Sequence, residues 1–189
     1  MKKWKALILG NGENQGKKNV FWNMVGSLLF ALASIVLFAA ATRATGEYYG
    51  GIFSIAFTTG QQLLTIGYYE VRPFQVTDVS GQYSFPEYLS ARAVTSAAMA
   101  VAGIVYVLVT GPDFVKGTVI LLMCLYKMVD GIADVFEGEF HRRGRLDIAG
   151  KSMAFRTAFS GGVFTLTVIL SRDIVIASAA AVAAAVFAF

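Results

Sequence analysis

The sequence predicts an all-α, polytopic membrane protein of six transmembrane helices. Three observations carry this. Of 189 residues, 56% are hydrophobic and 15% charged, a balance that water-soluble domains of this length do not show. The apolar residues fall in runs of about 20, the length that spans the roughly 30 Å hydrocarbon core of a bilayer. Between the runs stand short segments of Gly, Pro and basic residues. The formal net charge of +4 is modest and comes from basic loops, so no nucleic-acid surface is expected. Cys124 is the single cysteine, mid-way along an apolar run, which excludes a disulfide or thiolate metal centre. His141, the single histidine, stands beside Arg142 and Arg143 and reads as a loop residue. No metal or cofactor is expected.

Residues 1–18 form a basic lead with Lys2, Lys3, Lys5, Lys17 and Lys18. The run Ala6–Gly10 is too brief to span. No cleavable signal peptide is evident, because the first long apolar run begins about 19 residues in, exceeds an h-region and lacks a small-residue cleavage site. Residues 19–189 hold the six expected spans.

Val20–Thr42 is the first. Asn19, Asn23, Gly26, Ser27, Phe30 and Ser34 share one of its faces. Gly26, Ser27 and Ser34 suit close helix packing, and Asn23 is a candidate for a wet lining. Tyr48–Val71 is the second, and it is polar for a span. Thr58, Gln61, Gln62, Thr65 and Tyr69 form a stripe about 100° wide. Glutamine amides facing hydrocarbon are left unpaired at several kcal/mol, so this stripe is expected to face protein or water.

Arg72–Glu87, punctuated by Pro73, Gly81 and Pro86, is the longest internal loop. Tyr88–Thr110 is the third span, with Arg92 near its start and placed to snorkel to the interface. Gly111-Pro112-Asp113 is a turn. The fourth apolar stretch, Val115–Phe140, carries Lys127, Asp130, Asp134 and Glu137, which fall within a wedge of about 80° on one helical face. An ionised side chain at bilayer depth costs on the order of 2.5–3.5 kcal/mol on insertion scales, so these groups must turn from lipid toward protein or a hydrated cavity. Two readings stand: Lys127 and Asp130, three apart, neutralise each other within one turn, or the four line a pathway for something polar. Asp134 and Glu137 also suit the membrane surface.

His141–Lys151 is a basic loop. Met153–Leu170 is the fifth span, bearing Arg156, which either snorkels or faces inward, and Thr157, Ser160, Thr165 and Thr167. Ser171-Arg172-Asp173 is a turn, and Ile174–Phe189 an Ala-rich sixth helix in which the sequence stops. Orientation follows from the cations. The N-terminal lead, Arg72, Arg92, Arg142, Arg143, Arg145 and Lys151 give eleven on one side, against Arg43, Lys116 and Arg172 on the other. The N-terminus is therefore expected in the cytoplasm, and the chain in the cytoplasmic membrane.

Further patterns run across these elements. Asn19 to Trp22 opens the first helix. Arg43-x-x-Gly46-x-x-x-x-Gly51-x-Phe53-Ser54-x-Ala56 follows, then Tyr68-Tyr69-Glu70-Val71-Arg72-Pro73-Phe74-Gln75-Val76-Thr77-Asp78, then Tyr83-Ser84 and Glu87-Tyr88. Gly144-Arg145-Leu146-Asp147 leads to Ser152 and Arg156. In this order the chain resembles the polysaccharide transporter branch of the multidrug/oligosaccharidyl-lipid/polysaccharide exporter superfamily, across essentially its whole length.

The resemblance implies a MATE-like transporter of twelve to fourteen helices in two parallel lobes, flipping a lipid-linked oligosaccharide or polysaccharide repeat unit by alternating access. This chain would supply one lobe and be a fragment, or pair as a homodimer. Asn23, Gln61, Gln62 and Thr65 would then bond the sugar, and Lys127 and Arg156 would meet the phosphates. Asp130 and Asp134 would position Lys127 or take a coupling cation. The expected partners are the lipid-linked glycan, membrane lipid and a second lobe, and no enzymatic activity is expected.

Three alternatives remain. A cation-coupled drug exporter of the same superfamily often has a carboxylate in the first helix, and Val20–Thr42 has none. A CDP-alcohol phosphotransferase is suggested by Asp130-Gly131, Gly144 and Asp147. That signature breaks where Lys127 replaces an Asp, Asp134-Val135 replaces Ala-Arg, and Ile148 and Ser152 take later Asp positions. A non-transporting scaffold for glycan assembly is the third. No nucleotide-binding loop is present.

Overall fold

The computed structural model describes residues 12–78 and 80–189, the first two of these by backbone alone. Lys2, Lys3, Lys5 and the Ala6–Gly10 run lie outside the described residues. Seven helices follow in order: α1 (Gly12–Thr45), α2 (Glu47–Tyr68), α3 (Val71–Thr77), α4 (Phe85–Thr110), α5 (Phe114–Arg142), α6 (Leu146–Ser171) and α7 (Ile174–Phe187). No strand occurs among the described residues.

The six expected helices are all present as helices, and several boundaries move: α1 already begins at Gly12, inside the expected basic lead, and α4 at Phe85. The long loop expected over Arg72–Glu87 contains α3. The basic loop expected over His141–Lys151 shrinks to a turn, because α5 runs through His141 and α6 begins at Leu146. His141 therefore sits in the last turn of α5. The α6 boundary was hidden in sequence because its cap comes from another helix. Arg145 provides no side-chain cap. Instead Asn19 of α1 accepts the Asp147 backbone N–H through Oδ1 at 3.0 Å and donates from Nδ2 to Gly144 O at 3.0 Å.

Among the described residues three helices, α1, α4 and α6, are long and apolar enough to cross a membrane. The expectation of six such helices is met only this far. α2 and α5 fall short in composition, because the glutamine pair and the four charged residues lower their apolar content. α7, at 14 residues, rises about 21 Å, less than a hydrocarbon core. The exposed faces agree with a lipid surround: Val94, Val101, Leu108 and Val109 of α4 and Leu28, Ile35 and Val36 of α1 all point outward. Exposed Tyr69, Phe74 and Tyr83 stand near one end of the bundle, and Tyr48 and Phe114 near the other, the distribution of an interfacial aromatic belt. The protein is thus all-helical and membrane-associated.

α5 is the hub, packing against α2, α3, α4, α6 and α7. An apolar core joins five helices through Leu37, Phe53, Ile120, Met123, Phe164 and Ala177, with the Phe53 and Phe164 rings 4.7 Å apart. The most extensive helix pairing is α1 with α6. It rests on two glycines: a Cβ on Gly26 would stand 2.6 Å from Gly150 O, and one on Gly150 would strike the Trp22 carbonyl. Only hydrogen on both lets the backbones approach this closely.

Candidate functional site

The charged face of α5 turns fully inward. Lys127, Asp130, Asp134 and Glu137 are all buried. Three carboxylates and one lysine cannot neutralise one another, and the balance comes from three other elements: Arg156 of α6, Arg92 of α4 and Arg72 of α3.

The seven side chains form an alternating file. Lys127 Nζ lies 3.5 Å from Asp130 Oδ2. Asp130 Oδ1 accepts from Arg156 Nε at 3.0 Å, and Arg156 Nη1 donates to Glu137 Oε1 at 3.0 Å. Glu137 Oε2 stands 3.6 Å from Arg72 Nη1, which donates to Asp134 Oδ1 at 2.8 Å. Asp134 Oδ2 accepts from Arg92 Nη2 at 2.7 Å. The file begins and ends on a cation. Every internal carboxylate is therefore flanked by two positive groups, and the cations outnumber the carboxylates by one.

The two ends are closed differently. The Lys127 ammonium sits 4.5 Å from the Phe30 ring, 4.4 Å from Phe57 and 5.5 Å from Tyr126. These three aromatic faces hold the cation where only one carboxylate reaches it. At the other end Arg92 lies over Tyr68 at 5.5 Å and donates through Nη1 to Gly67 O. Thr95 Oγ1 donates to the same carbonyl at 2.8 Å. Gly67 is in the last turn of α2, where the carbonyls have no intrahelical partner, so Arg92 and Thr95 cap α2 from α4.

Arg92 thus does not snorkel as expected. It is completely buried, because the first turns of α4 pack against α2 and α5, where Asp134 and the Gly67 carbonyl both require a donor. Arg72, expected as a loop cation, reaches inward from α3. Arg156 faces inward rather than to the interface. Its helix is secured by Ser160, which donates to Arg156 O at 2.7 Å and contacts Tyr126 Oη at 2.9 Å. The sequence did hold one signal for Arg72 and Arg92. Three carboxylates on a face with one lysine demand more cations than α5 supplies.

Of the eight predicted site residues, the fold brings together Lys127, Asp130, Asp134 and Arg156. It separates the other four from them. Asn23 is half-buried on α1, one turn from the Gly26–Gly150 crossing. Gln61, Gln62 and Thr65 are exposed. The reason is geometric: Gly60, Leu64 and Gly67 form the buried face of α2, with Gly60 against Met123 and Lys127 of α5, which turns the glutamines to the outside. Among the described residues no group of acidic, His or Cys side chains is placed to hold a metal.

Compared with protein-family models, curated proteins and solved structures, the chain matches none.

Proposed function

We propose that this chain is a six-span lobe of a membrane transporter that flips a lipid-linked oligosaccharide or polysaccharide repeat unit. In this reading α2, α5 and α7 cross the bilayer with α1, α4 and α6. The polar groups of α2 and α5 are shielded by the bundle or by whatever adjoins it. The resemblance to the polysaccharide transporter branch supplies the substrate class.

The observation that carries the reading is the two-faced character of α2. One face closes on the buried charge file. The opposite face presents Thr58, Gln61, Gln62 and Thr65 outward, uncharged but rich in donors and acceptors. Amides on a helix at membrane depth call for a wet cavity or a protein neighbour, and a polar glycan headgroup moving between two lobes is matched by such a wall. The charge file then serves as the rigid inner skeleton of the lobe and not as the contact surface. That revises the single pathway expected of all eight residues.

The test is glycan flipping by the Gln61→Leu/Gln62→Leu double variant. Both side chains are exposed, so membrane level and thermal stability should stay near wild type while transport is lost. Transport at the wild-type rate would overturn the reading.

A further inference from the structure

The groove between α1 and α6 has a chemistry of its own. At the end where both helices terminate, a cavity of about 690 Å³ is lined by Arg43 and Arg172 over Val36, Ala40, Thr165 and Ile169. A second cavity of about 470 Å³ shares Val36, Thr165 and Ile169 with it and continues along the same two helices past Leu32 and Gly162 to Leu29. The two make one groove, cationic at the mouth and apolar along its length.

Neither guanidinium has an ion-pair or hydrogen-bond partner among the described residues. This contrasts with the buried arginines, each of which is paired. Arg43 lies in the last turn of α1, and Arg172 is the residue that ends α6, with φ 51°. Each helix C-terminus brings about half a negative charge, so two guanidiniums leave the mouth net positive. The floor is left open by small residues. A Cβ on Gly162 would meet nothing within 4 Å, and one on Gly161 only Leu37 Cδ2 at 3.6 Å. From Leu29 to Arg43 the helix rises about 21 Å, more than the roughly 15 Å of one leaflet.

We propose that this groove binds a membrane phospholipid, with its phosphate on Arg43 and Arg172 and one acyl chain lying along the α1–α6 floor over Gly162. Planar guanidiniums suit phosphate oxygens through paired N–H donors. α1 and α6 are both apolar enough to face lipid, so the medium itself supplies the chain. A second copy is the poorer occupant, because a two-fold contact would set unneutralised arginines against their own copies. A free phosphate uses the mouth and leaves the apolar groove without a role.

The experiment uses the full chain, purified and stripped of lipid, with binding read by native mass spectrometry and by fluorescence titration. Three probes are added: phosphatidylglycerol, diacylglycerol, and the water-soluble headgroup glycerophosphoglycerol. The expected result is binding of phosphatidylglycerol at least about tenfold tighter than either other probe. Arg43→Gln/Arg172→Gln should weaken it by about tenfold or more. Gly162→Leu, whose Cβ enters open space and whose side chain projects into the groove, should weaken it comparably with an unchanged unfolding midpoint.

Equal binding of diacylglycerol would remove the arginines from the account. Equal binding of the headgroup would remove the groove. Wild-type lipid affinity in the arginine variant, or a lipid-free dimer that excludes phosphatidylglycerol, would overturn the proposal outright.

Discussion

Asp130 answers to two cations, Lys127 at 3.5 Å and Arg156 at 3.0 Å, and this asymmetry ranks the substitutions. Removing Asp130 strands the buried Lys127 ammonium and leaves Arg156 with Glu137 alone. Breaking a buried ion pair by deleting one partner costs about 3–5 kcal/mol, and Asp130→Ala is expected to lose that much in detergent unfolding. Lys127→Met should lose only about 1–2 kcal/mol. Asp130 keeps Arg156, and the thioether fills a site already walled by Phe30, Phe57 and Tyr126. Equal losses in the two variants would mean that the aromatic enclosure does not hold the end of the file. Glu137 resembles Asp130, since Arg156 and Arg72 flank it. Its position on the α5 face was legible in the sequence through the 3.6-residue period. Its partners were not, because they come from 65 residues upstream and 19 downstream.

At the scale of elements, the α1–α6 pairing depends on backbone approach. Gly150→Ala puts a methyl group against the Trp22 carbonyl, which backbone shifts must absorb at about 1–3 kcal/mol. The variant should unfold earlier than Gly162→Ala, whose added carbon meets open space. Comparable unfolding midpoints for the two would show that the crossing tolerates separation. The segment between α3 and α4 is held differently, by one carboxylate. Asp78 accepts the Gln82 N–H at 2.9 Å, the Tyr83 N–H at 3.0 Å, the Ser80 hydroxyl at 3.1 Å and the Tyr88 hydroxyl at 3.0 Å.

These bonds, the Tyr83 N–H foremost, pull the Asp78 carboxyl down to about 2 from its ordinary 3.8. A depressed carboxyl pKa stabilises the fold above the unfolded value. That contribution fades as pH falls from about 4 toward about 2. Protection of the Gln82 and Tyr83 amides, taken relative to their intrinsic exchange rates at each pH, should fall across that window and be low at all pH in Asp78→Asn. Protection that stays flat from pH 5 to 2 would rule out this role for Asp78.

For the molecule as a whole, the basic bias of one face carries the orientation. Even with Arg92 withdrawn into the bundle, Arg142, Arg143, Arg145 and Lys151 share one end with the α3–α4 connection, while Arg43, Lys116 and Arg172 mark the other. We expect the first end in the cytoplasm. Cys124 is buried, so the native chain should be nearly silent to impermeant maleimides. Ser80→Cys should react only from the cytoplasmic side, and Phe114→Cys only from the opposite side. The reverse pattern would invert the topology.

Composition and apolar periodicity were enough to decide that the chain is helical, that it belongs with membranes, roughly where its long helices lie, and that the charges of α5 must face inward. Each follows from local chemistry: an ionised group cannot be left in hydrocarbon, and a helix repeats its faces every 3.6 residues. Only the tertiary structure decided which cations meet Asp130, Asp134 and Glu137. It also decided that Asn19 caps α6, and that the glutamine face of α2 points away from the charge file. Those outcomes depend on helix rotation and crossing, set by contacts such as Gly26 on Gly150 and Gly60 on Met123. Glycines, which contribute least to hydropathy, fix how closely and at what angle the helices meet.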